Sequence, residues 1–555
     1  MIPLGIAEKA LDFGMIRLVS RPINRIFKQR EIPEPGNGQR ARRSQMKTTT
    51  ALFACAAIAA SITVVAEAGD GLRLAAWNIT NYTGGNAAHI GNVVYGEFNG
   101  DQFAPDVIML QEITTQNALN SLVSALNGAA GSPGDWAGGQ FFSGGGGGIN
   151  TAMVYRTDRI DLVGSTLVAP AAGPGSHPRN IVRYDIRLDG YTAEETIIAL
   201  YPVHMKAGSG SSDQARRLIE SQIIRNDAES LPAGRHLIVG GDFNTQTSSQ
   251  AAYQELVGNQ VNNDGRFFDP IAAPGSWNNN FTYRNIHTQD PVGGGGMDDR
   301  LDQLLLSIGL GDGIGLDYVG QFLTPWNLST PTDPNHSHRV WGNDGTSFNT
   351  SMTTSGNTMV GQSIAQSIIA MGGNSGHCPL YFDMVVPAQV AATASIDFGA
   401  VMQNSAASAL VDVMNNADTE IWGIPGIRDL EYQFSATGLV SAPDGMFTES
   451  ASAGMNQHTI TADTSTVGPI TGTLSVESND PDVPSLVISI SGEVVPPACP
   501  ADLAAPFGIL DLSDINAFTA GFVANDPIAD LAAPMGTFDL ADINAFVNSF
   551  VAGCP

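Results

Sequence analysis

Residues 236–244 read HLIVGGDFN. A short apolar run meets two glycines and then an aspartate and an asparagine. An apolar run of this length, bounded by turn residues, reads as a strand buried on both faces. Polar residues at its end sit where a scaffold places reactive groups. The same pattern recurs at RLAAWNI (73–79), DVIMLQEI (106–113), NTAMVYR (150–156), TIIALYPVHM (196–205), RLDQLLLSI (300–308) and PLYFDMVV (379–386). Between these runs, ALNSLVSALN (118–127) and DQARRLIESQIIRNDAESL (213–231) place apolar residues at i, i+3, i+4 and read as helices. Buried strands interleaved with helices predict a layered α/β sandwich over 69–387.

The surrounding chain divides by composition. Its 555 residues allow about three domains. A net charge of −28 excludes a protein that is basic overall and holds nucleic acid by bulk charge. It leaves open an enzyme acting on phosphodiesters, since a bound metal supplies positive charge. Four cysteines are too few for a small disulfide scaffold. Residues 46–68 read as a secretory signal: Lys47, an apolar stretch from Ala51 to Val65, and Ala66-Glu67-Ala68 as a cleavage site. Residues 1–45 are basic and carry no recognisable fold, as expected of a start codon placed too early or an extended leader. A secreted, cell-surface or periplasmic protein follows, with no stable membrane span. Beyond the signal the one lysine is Lys206. Residues 388–496 hold short alternating segments between Asn, Asp, Pro and Gly clusters and predict a small all-β sandwich. Residues 497–555 hold a duplication: ADLAAPFGILDLSDINAF (501–518) recurs as ADLAAPMGTFDLADINAF (529–546).

Six polar groups gather at strand ends of the first region: Asn78, Glu112, His204, Asp242 with Asn244, Asp302 and His377. Singly, each reads as a turn former; together they suggest a site. Asn78, Glu112 and Asp242 offer hard oxygen ligands of the kind Mg2+ or Ca2+ takes. No Cys/His cluster has zinc spacing. Two histidines with a carboxylate to orient one of them suit acid–base work near neutral pH. Lys206 lies two residues after His204, so on a continuing strand both would face one side and meet a phosphate.

Taken in order, WN (77–78), QE (111–112), H-x-K (204–206), GDFN (241–244), RLD (300–302) and S-x-H-x-P (375–379) resemble the endonuclease/exonuclease/phosphatase, or DNase I-like, superfamily over about 70–387. The resemblance implies a four-layered α/β sandwich that cleaves phosphoester bonds with Mg2+ or Mn2+. It implies Asn78 and Glu112 on the metal. Asp242 and Asn244 would orient the water and phosphate, and His204 would sit at the scissile phosphate or act as an acid. His377 would be the second catalytic histidine, its tautomer fixed by Asp302. Arg179 and Tyr283 match positions that contact substrate in the family. The expected substrate is nucleic acid, with a sphingomyelinase-like phospholipase as the alternative and Phe141-Phe142 as its candidate membrane tip.

The family motif S-D-H-x-P reads here Ser375-Gly376-His377-Cys378-Pro379. The missing Asp predicts a weaker metal site or an inactive scaffold. Asp298, Asp299 or Asp344 are candidate replacements, and Gly376→Asp is expected to restore the site. Residues 388–496 resemble immunoglobulin-like anchor modules of secreted bacterial proteins, and 497–555 resemble a degenerate dockerin. That second resemblance implies calcium at Asp502, Asp511, Asp514, Asp530, Asp539 and Asp542, although Ala504 and Pro506 stand where ligands belong. The same aspartates also read as helix caps. A protein or cell-surface partner is expected for these modules. Secretion permits a Cys499–Cys554 disulfide, since Cys55 leaves with the signal and Cys378 lies in the site motif.

Overall fold

The run around Trp77 opens the first strand, β1 (Leu72–Tyr82), and the quoted apolar runs supply most of its neighbours. The structure is a computed structural model, and it describes residues 71–553 except 145, 174, 373–374, 424–425, 452–453 and 496–498. The expected leader (1–45), the signal segment (46–68) and Cys554 lie outside the described residues.

In the first region, chain order runs β1, α1 (Ala87–Tyr95), β2 (Val107–Ile113), α2 (Gln116–Asn127), β3 (Asn150–Arg156), β4 (Ile160–Ala169), β5 (Ile181–Leu188) and β6 (Ile198–His204). It continues with α3 (Ser211–Glu229), β7 (His236–Asp242), α4 (Ala251–Val257), β8 (Gln289–Gly293), β9 (Asp302–Leu306), α5 (Gly361–Gly372), β10 (Ser375–His377) and β11 (Leu380–Val385). One sheet has β11, β1, β2 and β3 at its centre; the other runs β9, β7, β6, β5, β4. The β1–β2 and β6–β7 pairs are parallel, and β9 and β11 are antiparallel to their neighbours.

Alternation sorts side chains between layers. On β6, Ile198 and Leu200 enter the core shared with the first sheet, while Ala199 and Tyr201 face Ile224 of α3 and Leu256 of α4. Helices α1, α2 and α5 bring Ile90, Leu122 and Ile364 to the first core. Helix, sheet, sheet and helix thus stack in four layers.

Two glycines bring the sheets together at the site. A Cβ on Gly240 would stand 2.3 Å from Met109 Cε of β2, and one on Gly241 2.4 Å from Gln111 Nε2. Gly241 also has φ 128°, which favours glycine. The GG of HLIVGGDFN is therefore a close approach of the two sheets.

Beyond 388, strands form a four-stranded and a six-stranded sheet around one cluster with Val411, Tyr432, Leu474 and Ile488. Trp422 and Ile427 of this region belong to the first region's core, where Trp422 meets Tyr191 edge-on at 5.7 Å. The duplicated segment forms α6 (Leu512–Ala524) and α7 (Leu540–Ala552), with Phe518 stacked on Phe546 at 4.2 Å. Among the described residues, no helix is long and apolar enough to cross a membrane.

Candidate active site

Strand register builds the site. Asp242 lies opposite His204 on β6 and opposite Asp302 on β9, so the three share one face of the second sheet in a row. From the first sheet, Asn78 pairs with Gln111, and Glu112 follows. Glu112 has φ 65° and Asn244 φ 53°, conformations that cost of order 1–3 kcal/mol in non-glycine residues and cluster at functional sites. The short ribbon β8–β10 sets Gln289 against His377.

The six positions meet. Asn78 Nδ2 donates to Glu112 Oε1 and to Asp242 Oδ2, each at 3.2 Å. His204 Nε2 is 3.5 Å from Asp242 Oδ2 and 3.8 Å from Glu112 Oε1. His377 Nε2 is 3.9 Å from the same Asp242 oxygen, and its Nδ1 is 2.6 Å from Asp302 Oδ2. Asn244 Nδ2 donates to Met205 O at 3.1 Å, and its backbone N–H donates to Asp242 Oδ1 at 3.0 Å. Arg179 is buried, donates through one nitrogen to His204 O and Met205 O, and leaves its Nε without a partner.

The two histidines are driven apart. Burial, then the charges of Arg179 and His377, hold His204 well below the usual imidazole range. Burial alone would also lower His377, but Asp302, Asp242 and Glu112 outweigh it and raise it to about 9. Asp242 is pushed up to about 7 by burial, with Asp302 and Glu112 adding to the rise and His377 opposing it.

This donor set fits a divalent cation of the open kind. Glu112, Asp242 and Asp302 crowd negative charge against Arg179 and His377, and Glu112 Oε1 faces the site while Oε2 accepts Asn81 N–H at 2.7 Å. Among the described residues, no three His, Cys, Asp or Glu side chains are grouped as a protein cage. Mg2+ needs none, since it takes one or two carboxylates and keeps its waters.

Other expectations fare differently. Strand β6 ends at His204, so the alternation that placed Lys206 beside it does not apply. Lys206 Nζ pairs with Asp213 Oδ1 at 2.8 Å and also meets Ala207 O. Tyr283 donates its hydroxyl to Pro274 O at 2.7 Å and packs beside Ile271 and Trp326, apart from the converging set. Phe141 and Phe142 pack against the first core and form no protruding tip. Gly376 is glycine for a packing reason: a Cβ there would lie 2.2 Å from Gly372 Cα at the end of α5. The expectation that Gly376→Asp restores a carboxylate is therefore overturned, because that side chain has no room. Asp344 accepts from Thr346 and Thr358 and serves its loop. Asp298 and Asp299 stand beside Asp290, which burial pushes up to about 7, and Asp290 and Asp299 both feel the charge of His377.

In the duplicated segment the aspartates serve the backbone. Asp514 accepts from the N–H groups of Leu503, Ala504 and Asp511, and Asp542 repeats this with Leu531, Ala532 and Asp539. Asp511 and Asp539 cap α6 and α7 in capping boxes. Asp502 and Asp530 accept from Gly508 and Gly536. Asp514 and Asp542 are thus engaged by N–H donors, while one buried oxygen of Asp502 and one of Asp530 have no partner and stay open to an ion. Cys499 is disulfide-bonded.

Sequence reasoning missed Gln289, and it quoted Trp77 in the WN motif without giving it a role. Gln289 Nε2 is 3.3 Å from His377 Nε2, and Trp77 Nε1 donates to His377 O at 3.3 Å. Gln289 sits in IHTQDP, outside any apolar run, so periodicity carried no signal for it.

Residues 81–339 match the Endonuclease/Exonuclease/phosphatase family. The similarity is to a family whose members are in general hydrolases acting on phosphoester bonds. Among solved structures, the chain is similar to the human Nocturnin catalytic domain with bound sulfate, at 16% identity and TM-score 0.32, over 57% of this chain and 94% of that one. It is similar to D. rerio TDP2 complexed with single strand DNA product, at 13% identity and TM-score 0.32, over 57% and 98%. A third likeness is an endonuclease/exonuclease/phosphatase from Bacteroides vulgatus, at 13% identity and TM-score 0.34, over 57% and 98%. No curated protein sequence matches the chain at a significant level.

Proposed function

We propose that residues 69–387 are a divalent-metal-dependent phosphodiesterase acting on nucleic acid, in a protein that works in a secreted, cell-surface or periplasmic setting. The observation that supports this reading best is the row His204–Asp242–Asp302 with His377 closing on the same Asp242 oxygen. Residues from sequence positions 78 to 377 converge there on hydrolytic chemistry.

Glu112 with Asn78 would hold Mg2+ or Mn2+, which supplies positive charge to the phosphoryl oxygens. Asp242, poised near neutral pH, takes a proton from the attacking water while Asn244 fixes its carboxylate through the backbone. His204, neutral, contacts the phosphate through Nε2. His377 holds a proton on Nε2 and gives it to the leaving oxygen, and Asp302 keeps Nδ1 protonated and the ring in place. Arg179 offers its unpartnered Nε–H to the phosphate side of the site. The C-terminal modules hold the enzyme at a surface or in an assembly, and Cys499 pairs with Cys554.

Hydrolysis of plasmid DNA, RNA, sphingomyelin and a phosphodiester dye by the full chain tests this reading. Metal-dependent cleavage of the nucleic acids is expected, and cleavage of sphingomyelin alone contradicts it. Non-reducing mass spectrometry of secreted material tests the disulfide, which two free thiols would exclude.

A further inference from the structure

We propose that Phe281, Arg284 and Phe348 form a nucleobase-binding subsite on the rim of the candidate active site, so that the strand is taken with its bases unpaired. The inference rests on the phosphodiesterase reading above and names the substrate form.

Phe281 opens a short helical turn, Phe281–Ile286, and is 58% exposed. Among the described residues of 71–387 it is the one aromatic among the large hydrophobic side chains left exposed. Its ring is not isolated. The Arg284 guanidinium carbon lies 4.2 Å from the ring centroid, and Phe348 meets the ring edge-on at 5.3 Å. Arg284 has no carboxylate partner among the described residues, whereas Arg73, Arg183 and Arg300 are paired. This region has about twice as many acids as bases, and a guanidinium that no carboxylate neutralises is a local positive charge that can meet a phosphate.

The wall is anchored to the site. Asn278 Nδ2 donates to Asp299 Oδ1 at 2.6 Å, and Asn279 N–H donates to Asp298 O. Asp298 N–H donates to Gln289 O, and Gln289 Nε2 is 3.3 Å from His377 Nε2. On the other side, Asn349 Nδ2 donates to Asn279 Oδ1, and Phe348 bridges Met297. A ring that is 58% exposed, with a guanidinium over it, leaves aromatic area for a base to stack on and a charge for the adjoining phosphate. The same wall suits a choline headgroup poorly, because a cation already covers Phe281 and would repel a second one.

The test is fluorescence anisotropy of the full chain with a labelled oligothymidylate and with an abasic strand of equal length, in excess chelator so that neither is consumed. Phe281→Ala should weaken oligothymidylate binding about tenfold or more and leave the abasic strand unchanged. Phe281→Trp should retain binding, and Arg284→Gln should weaken both strands. Equal binding of both strands by Phe281→Ala and wild type overturns the subsite, as does wild type that binds neither strand. Loss of binding to sphingomyelin vesicles with oligothymidylate binding intact also overturns it. Phe281-dependent binding without hydrolysis of any phosphodiester in Mg2+ overturns the phosphodiesterase reading and leaves the subsite standing.

Discussion

His204 and His377 face one carboxylate oxygen of Asp242, at 3.5 and 3.9 Å, yet are driven in opposite directions. The difference is Asp302, which touches His377 alone of the two. His377 is raised to about 9, so its imidazolium persists at neutral pH and is lost as pH climbs through that value. With His377 as the acid, activity has an alkaline limb there. Asp302→Asn removes the carboxylate, so the limb should move to lower pH, and the rate at pH 7 should fall on the order of 100-fold. A pH–rate profile with a phosphodiester dye measures both, with circular dichroism unchanged. Lys206→Ala should alter the rate less than about twofold, since its ammonium is already paired with Asp213; a large loss would return Lys206 to the site. The residues that the structure brings together are those at the ends of apolar runs. Lys206 misled because its strand stops two residues earlier, and a strand's end is set by pairing that no local pattern reports.

At the scale of elements, glycine placement decides how closely the layers meet. The central strands were legible because burial on both faces leaves unbroken apolar runs; NTAMVYR is strand β3 residue for residue. Strands β4 and β5 were not, because they are mixed and partly exposed, with Gly164 and charges interrupting the pattern. Gly376 reads in sequence as a lost carboxylate and in three dimensions as a contact between β10 and α5. Gly376→Ala should therefore destabilise by about 1–3 kcal/mol in denaturant unfolding. Gly376→Asp should cost more and bring no gain of activity; a gain would show that α5 can yield. In the duplicated segment, Asp511→Ala removes a capping box and should cost about 1 kcal/mol, read from the local melt of α6.

For the whole molecule, the first and second regions share packing. Trp422 fills the first region's core and lies 6.1 Å from the ring of His236, at the start of β7. Trp422→Ala should cost about 3–5 kcal/mol and lower the Tm of residues 69–387, although the substitution lies outside them. His236 is pushed down to about 4 by burial, with Arg235 adding to the effect. Unfolded, it titrates near ~6.5. The folded state thus keeps full stability above that value and loses it as pH falls toward about 4. His236→Phe should remove an acid-side loss of about 1–3 kcal/mol, seen as a flatter stability profile between those limits. Such contacts between regions were not legible, since composition marks where a region changes and not what crosses the change.

As proposed, carboxylates and histidines from both sheets make one metal-assisted phosphodiesterase. The most direct test is hydrolysis of single-stranded DNA by the full chain, with Mg2+, with excess chelator, and with Glu112→Gln. Activity that needs Mg2+, vanishes in chelator and demands far more metal in Glu112→Gln is the predicted result. Full activity in excess chelator, or Glu112→Gln with an unchanged metal requirement, would contradict the account.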